Sequence, residues 1–410
     1  MIRHTGIQTV LAVLITLSTP TVAEPPETVE QWVEEAMTNN ATLGALQSAI
    51  EAAEADVEGS DSWADPMVKY GLAPGTLEGP NMVGHRFEVS QKLPWPDQLS
   101  ASREASKAGV SAARHDSLWQ SRKLTASVKE AYARWWYSNQ AIDLHHETRA
   151  LVEQLAEIAR QRLDYGEGSQ SDLLRIETEL DTLDTQLVGL KAEQARISAS
   201  LIPLLGRRPQ PSRLTLTVPP HTPMAADNPA EIDHPLVQAA EARTAEARAR
   251  LDAAEISRRP VFTASAGYNS LWADESKRWI VGIGVQVPLS GQRQKSAVRK
   301  ATAEVSQHQW QTTQVHRDLL ASIGDMTAAV QAGHGRLEIL DERHIPNQRA
   351  HWEASLNELA TGAGRLENAI NSARQLTGVK LTRAAVIRDL FSARARYDAL
   401  SPTQTNSLPH

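Results

Sequence analysis

Residues 279–287 read Trp-Ile-Val-Gly-Ile-Gly-Val-Gln-Val, with Trp279, Val281, Ile283, Val285 and Val287 at every second position. Strand side chains alternate between faces, so this stretch predicts a strand with one continuous apolar face. Its partner is the preceding run 262–268, where Phe262, Ala264, Ala266 and Tyr268 share a side. The same pattern stands earlier in the chain. Over 82–91, Val83, Phe87 and Val89 alternate with Gly84, Arg86, Glu88 and Ser90, and 68–72 precedes them as a partner. Each pair reads as a hairpin; one loop holds Pro74, Gly75, Gly79 and Pro80, the other spans 269–277.

Two hairpins with an apolar and a polar face cannot close a membrane barrel. An open strand edge in lipid leaves backbone groups unsatisfied at a cost of several kcal/mol each. Three copies, about twelve strands, would close one. The hairpins therefore predict oligomerisation. Tyr70, Phe87 and Phe262 are expected in the barrel segment, and Trp272 and Trp279, with Tyr268, at its interface with water.

The rest of the chain reads as long helix. Residues 97–165 contain no proline and one glycine, Gly109, which permits a single helix of roughly 100 Å. The return helix, 171–205, carries two interleaved heptad rows, Leu173, Leu180, Leu187 and Ile176, Leu183, Leu190, the spacing of coiled-coil packing. The second half repeats this order, with a long helix over 291–360 that Pro346 should bend and a return helix over 366–400. Three landmarks recur in register: Trp63-Ala64-Asp65-Pro66 with Ser257-Arg258-Arg259-Pro260, Pro94-Trp95-Pro96-Asp97-Gln98 with Pro288-Leu289-Ser290-Gly291-Gln292, and Tyr165-Gly166-Glu167-Gly168-Ser169 with Thr361-Gly362-Ala363-Gly364-Arg365. The chain thus divides into a first unit, 24–206, with its hairpin at 67–91, and a second, 233–400, with its hairpin at 261–287. The proline-rich stretch 207–232 reads as a linker without packed structure, and 401–410 as a tail.

Ahead of these units, Arg3 and His4 precede an apolar run over 10–17 and Thr21-Val22-Ala23, a secretory signal (1–23) with cleavage expected after Ala23. No later window approaches the roughly 20 apolar residues of a membrane helix. The chain has no cysteine, so export is not used to form disulfides. A net charge of -7, spread along the chain, argues against a nucleic-acid partner. Aromatic residues make up only 5%, less than a compact enzyme of this length usually carries.

No constellation for catalysis, cofactor or metal binding emerges. His145 and His146 point about 100° apart on a helix and cannot face one metal. Gly282-Ile283-Gly284 lacks the third glycine of a dinucleotide loop and suits close strand packing. Gly333-His334-Gly335 reads as a hinge or a tolerated weak point in a helix. Trp135, Trp136, Tyr132 and Tyr137 read as interhelix packing.

The arrangement resembles the TolC family of outer-membrane factors over nearly the whole mature chain. The matching phrases are Val89-Ser90-Gln91-Lys92-Leu93-Pro94-Trp95-Pro96, the turn from Tyr165 through Ser169 to Leu174, and Leu204-Leu205-Gly206. The resemblance implies a mainly α fold with a small β part: a homotrimer whose paired long helices form a periplasmic α-barrel and whose four strands per chain join a 12-stranded barrel in outer-membrane lipid. It also implies a periplasmic adaptor (membrane fusion protein) and an inner-membrane RND-type pump as partners. In that family the helix turns form the periplasmic tip. By position, Gly166, Glu167, Gly168, Ser169, Gln170, Ser171, Gly362, Ala363, Gly364 and Arg365 are the docking turns, and Asp172, Arg365, Asn368 and Asn371 the aperture. Asp172 has a second reading, a carboxylate favoured by a helix N-terminus, and Arg365 is its candidate partner. Asn368 and Asn371 depart from the acidic pair of the type member. The phrase Leu93-Pro94-Trp95-Pro96 resembles the heavy-metal branch; drug efflux and type I secretion stay open, as do an adaptor or a periplasmic coiled-coil scaffold.

Overall fold

Strand pairing joins the two hairpins into one antiparallel sheet, β1 (Met67–Pro74), β2 (Val83–Leu93), β3 (Val261–Asn269) and β4 (Trp279–Gln286), in that order. The computed structural model describes residues 27–74, 83–208, 214–220, 233–272, 274–288 and 291–401. The expected signal segment 1–23, the tip of the first hairpin, much of the linker and the tail from 402 onward lie outside the described residues.

Register explains the alternation. Tyr70 pairs with Phe87, Phe87 with Tyr268 and Tyr268 with Trp279, giving an aromatic row across all four strands. Val68, Val89, Ala266 and Val281 form the next row on that face. The face is bare in the protomer: Val281 is 86% exposed and Ile283 78%. On the opposite face Lys69, Glu88 and Gly267 form one row and Ser90, Ser265 and Gly282 another, with an Arg86–Glu88 ion pair at 3.0 Å. Met67, Val261 and Ile280 are apolar side chains there. β1 and β4 are the edges of the sheet.

The helices are α1 (Val29–Asn39), α2 (Ala41–Ser60), α3 (Pro96–Asp164), α4 (Gln170–Leu205), α5 (Pro235–Ile256), α6 (Gln292–Ile339), α7 (Ile345–Ala360) and α8 (Leu366–Leu400). α3 runs 69 residues without a break. Pro96 occupies its first turn, where a missing N–H costs nothing. Trp95, just before it, donates Nε1–H to the Pro260 carbonyl at 2.8 Å and meets Phe262 edge-on at 5.7 Å, fastening sheet to shaft.

The second long run differs from expectation. Gly333 and Gly335 lie within continuous helix. A Cβ at Gly333 would stand 3.0 Å from Leu390 Cδ1, so this glycine admits α8 at close range. The irregularity comes later, as a π-helical turn over Leu340–His344 in which the Ile345 N–H bonds to the Leu340 carbonyl. Pro346 follows at once, and the widened turn accommodates a ring that would clash with a regular helical carbonyl.

Along the shaft the core forms two main clusters. One gathers Trp32, Tyr132, Trp135, Leu201, Val330 and Leu390; the other gathers Leu155, Ile176, Leu183, Trp352 and Ile370. Trp32 meets Tyr132 edge-on at 5.1 Å. The linker is not wholly unpacked: Leu214 is buried in the first cluster, and the Tyr132 hydroxyl reaches the Thr215 and Glu27 carbonyls at 3.2 and 3.0 Å. Burial, above all, pushes that phenol up to about 12. Of the heptad rows in α4, Ile176 and Leu183 are buried, whereas Leu173, Leu180, Leu187 and Leu190 are half-buried.

His234 locks the start of α5 to the end of α8. Its Nδ1 accepts from the Leu236 N–H at 3.1 Å, so the proton sits on Nε2, which lies 3.2 Å from the Ala399 carbonyl. Burial lowers the imidazole pKa, and Arg122 lowers it further, against the Ala399 carbonyl and Asp233. A histidine with a depressed folded pKa binds fewer protons folded than unfolded, so its stabilisation is complete above the ordinary imidazole range and is lost as pH falls through it. Thermal unfolding in detergent at about pH 7.5 and about pH 5.5, either side of the ordinary value, should show a lower midpoint at the acid pH. His234→Asn should flatten that dependence; an unchanged slope would contradict the assignment.

Candidate docking tip and aperture

α3 ends because Gly166 takes a left-handed conformation, φ 77°, that a Cβ disfavours. The Glu167 N–H returns to the Arg162 carbonyl at 2.8 Å and the Gly166 N–H to Leu163 at 3.0 Å, the Schellman pattern. Gly168 is needed for another reason: its Cβ would lie 2.8 Å from the Leu163 nitrogen. The second turn is built alike, with Gly362 at φ 80°, and a Cβ on Gly364 would lie 2.8 Å from that of Glu358. Ser169 then caps α4, its hydroxyl accepting from the Ser171 N–H at 3.0 Å. Arg365 holds the cap position of α8 without a side-chain hydrogen bond there.

Both turns lie at the same end of the shaft. Arg162 ties them together, donating Nη1–H to the Leu359 carbonyl at 3.1 Å and Nη2–H to the Glu167 carbonyl at 3.4 Å. A cleft of about 300 Å³ between the turns is lined by Arg162, Gly168, Asp172, Gly364 and Arg365. Asp172 and Arg365 share this cleft, but among the described residues the ion pair here is Arg175–Glu367, at 3.1 Å. The expected pairing of Asp172 with Arg365 is not made within the protomer. Asp172 is half-buried in the first turn of α4, where the helix dipole favours it. Glu167, Gln170, Ser171 and Ala363 are exposed. Asn368 and Asn371 are exposed on one face of α8, three residues apart, beside buried Ala369 and Ile370.

Two groups escaped the sequence reading. Arg162 looked like any arginine near a helix C-terminus. Glu179, only 5% exposed, lay among exposed acids of α4, yet it takes both Nε and Nη2 of Arg374 on α8. The partners are far apart in sequence, so no local pattern marks them. Among the described residues no group of three or more His, Asp or Glu could hold a metal, and no helix is long and apolar enough to cross a membrane.

A sequence profile described as outer membrane efflux protein matches residues 32–207 and 228–366. No curated protein sequence matched significantly. Among solved structures, CusC is similar at a TM-score of 0.80 and 16% identity over 91% of this chain and 92% of its own. The CmeC outer membrane channel of Campylobacter jejuni gives 0.78 at 13% identity over 99% and 96%. VceC, an outer membrane protein of Vibrio cholerae, gives 0.76 at 15% over 91% and 95%.

Arg374→Ala should destabilise the shaft by about 3 kcal/mol, because it strands a buried carboxylate, whereas Glu367→Ala, which removes a half-exposed pair, should cost under about 1 kcal/mol. Thermal unfolding of the two variants in detergent measures the difference; equal losses would contradict the contrast in burial.

Proposed function

The chain belongs to the outer membrane efflux protein family, and from that premise we propose that it is the exit duct of a tripartite efflux system. The family is one of outer-membrane channels, not enzymes. The chain's fold, a long helical shaft carrying a four-stranded sheet, is the fold of those channels. We read the working particle as a homotrimer, its inner end meeting a periplasmic adaptor and, beyond it, an RND-type pump in the inner membrane.

The observation that carries this reading is the sheet. Its apolar face is uncovered and its edges, β1 and β4, have no neighbour in the protomer. Pairing β4 of one copy with β1 of the next satisfies the edges, and three copies close about twelve strands with the polar face inward. α4 supports the same reading further down. Leu174, Asp181, Val188 and Ile202 lie on an exposed heptad line, with Thr178 and Thr185 beside it. Both threonine hydroxyls donate back to helix carbonyls at 2.9 Å, which turns their methyl groups outward. Such a line suits a helix of a neighbouring copy.

The turns Gly166–Ser171 and Gly362–Arg365 are the proposed adaptor contacts, with Asp172, Arg365, Asn368 and Asn371 around the aperture. The two halves, 24–206 and 233–400, are read as duplicated units. For cargo we favour heavy-metal cations, on the strand-to-helix phrase Leu93-Pro94-Trp95-Pro96.

Deleting 166–171 should leave the protein assembled in the outer membrane and abolish efflux, measured as metal tolerance of a deletion strain complemented with each form. Retained tolerance would overturn the docking assignment. If the intact gene restores tolerance to organic toxicants and none to metals, the cargo assignment fails and the duct stands.

A further inference from the structure

Near the sheet the helices lie side by side: α2 on α3, α3 on α5, α5 on α6. α2 and α6 are therefore the flanks of this layer. α2 leads into β1 and α6 leaves β4, so the flanks and the open strand edges lie on the same two sides.

On α6, Thr312, Val315 and Leu319 face α5: the Thr312 hydroxyl is 3.1 Å from that of Thr244, and Val315 and Leu319 pack with Val237. Trp310 points about 160° away from Thr312 around the helix, off the free flank, and is 72% exposed. An indole left in water in mid-helix is unusual, since Trp buries one of the largest apolar areas of any side chain. On α2, Ile50 is buried and Val57 half-buried toward α3. The opposite flank presents Ala45, Ser48, Ala52, Ala55 and Gly59, all exposed, at alternating spacings of three and four.

We propose that Trp310 of one copy packs on this α2 seam of the next copy and is the aromatic anchor of the interface between their shafts. The proposal rests on the trimeric reading above. A second copy is the occupant because joining β4 to the β1 edge of a neighbour carries α6 alongside that neighbour's α2. Lateral ties give the height. Arg243 of α5 pairs with Asp116 of α3 while its neighbour Thr244 meets Thr312, so Thr312 stands level with Asp116. Arg114 pairs with Glu54 of α2 at 2.6 Å, which puts Trp310 close to the level of residue 54, within the seam. Side chains no larger than serine let a helix carrying a bulky ring approach to ordinary packing distance, roughly 8–10 Å between axes.

The chain has no cysteine, so paired substitutions report the contact cleanly. Trp310→Cys is combined in turn with Ala45→Cys, Ser48→Cys, Ala52→Cys and Ala55→Cys, and with Ile50→Cys and Val57→Cys as controls, in the full chain oxidised in outer membranes. Covalent dimers and trimers are expected with one or more seam positions and with neither control. Trp310→Ala should lower the temperature at which the assembled particle dissociates in SDS, and Trp310→Phe should largely retain it. An assembled trimer that crosslinks at no seam position, or that crosslinks equally at the controls, overturns the anchor. A single-chain particle for the unmodified protein would instead overturn the trimeric reading on which it rests.

Discussion

The unpaired backbone of β1 and β4 is the constraint on which the rest of the structure depends. In water an open edge is solvated; in lipid each unpaired N–H or C=O costs several kcal/mol. This sheet also carries an apolar face with an aromatic row, Tyr70, Phe87, Tyr268 and Trp279, that water does not favour. Both problems have one solution, closure with further copies inside a membrane. The polar row of Lys69 and Glu88 and the Arg86–Glu88 pair then face a wet interior.

Closure at one end propagates down the shaft because sheet and helices are not loosely jointed. The Trp95–Pro260 hydrogen bond and the Trp95–Phe262 contact join the end of β2 and the start of β3 to α3. α3 then runs unbroken to the turn at Gly166, where Arg162 links both turns into one unit. The second run contains the π-helical turn at Leu340–His344, so the two sides of the protomer are not mechanically alike.

Much of this was legible in the sequence, for local reasons. Helix ends at Pro96 and Gly166, the alternation in 279–287, and the doubled turn glycines are set by residues within a few positions of one another. What was not legible is non-local. The β2–β3 pairing that joins the two hairpins, the burial of Leu214 and the Glu179–Arg374 pair each link residues far apart along the chain. The close approach of Leu390 to Gly333 is likewise invisible locally, because it comes from another helix. Asp172 and Arg365 line one cleft, and within the protomer Arg175 and Glu367 make the ion pair there, a choice that depends on how two distant helix starts meet and not on local sequence.

The most direct test is the number of chains in the native particle. Mass measurement of the protein extracted from outer membranes in mild detergent should give three chains, with a β-barrel whose strand count is three times that of the protomer's sheet. A stable water-soluble particle of one chain, with the face of Val281 and Ile283 still exposed, would contradict the account at its root.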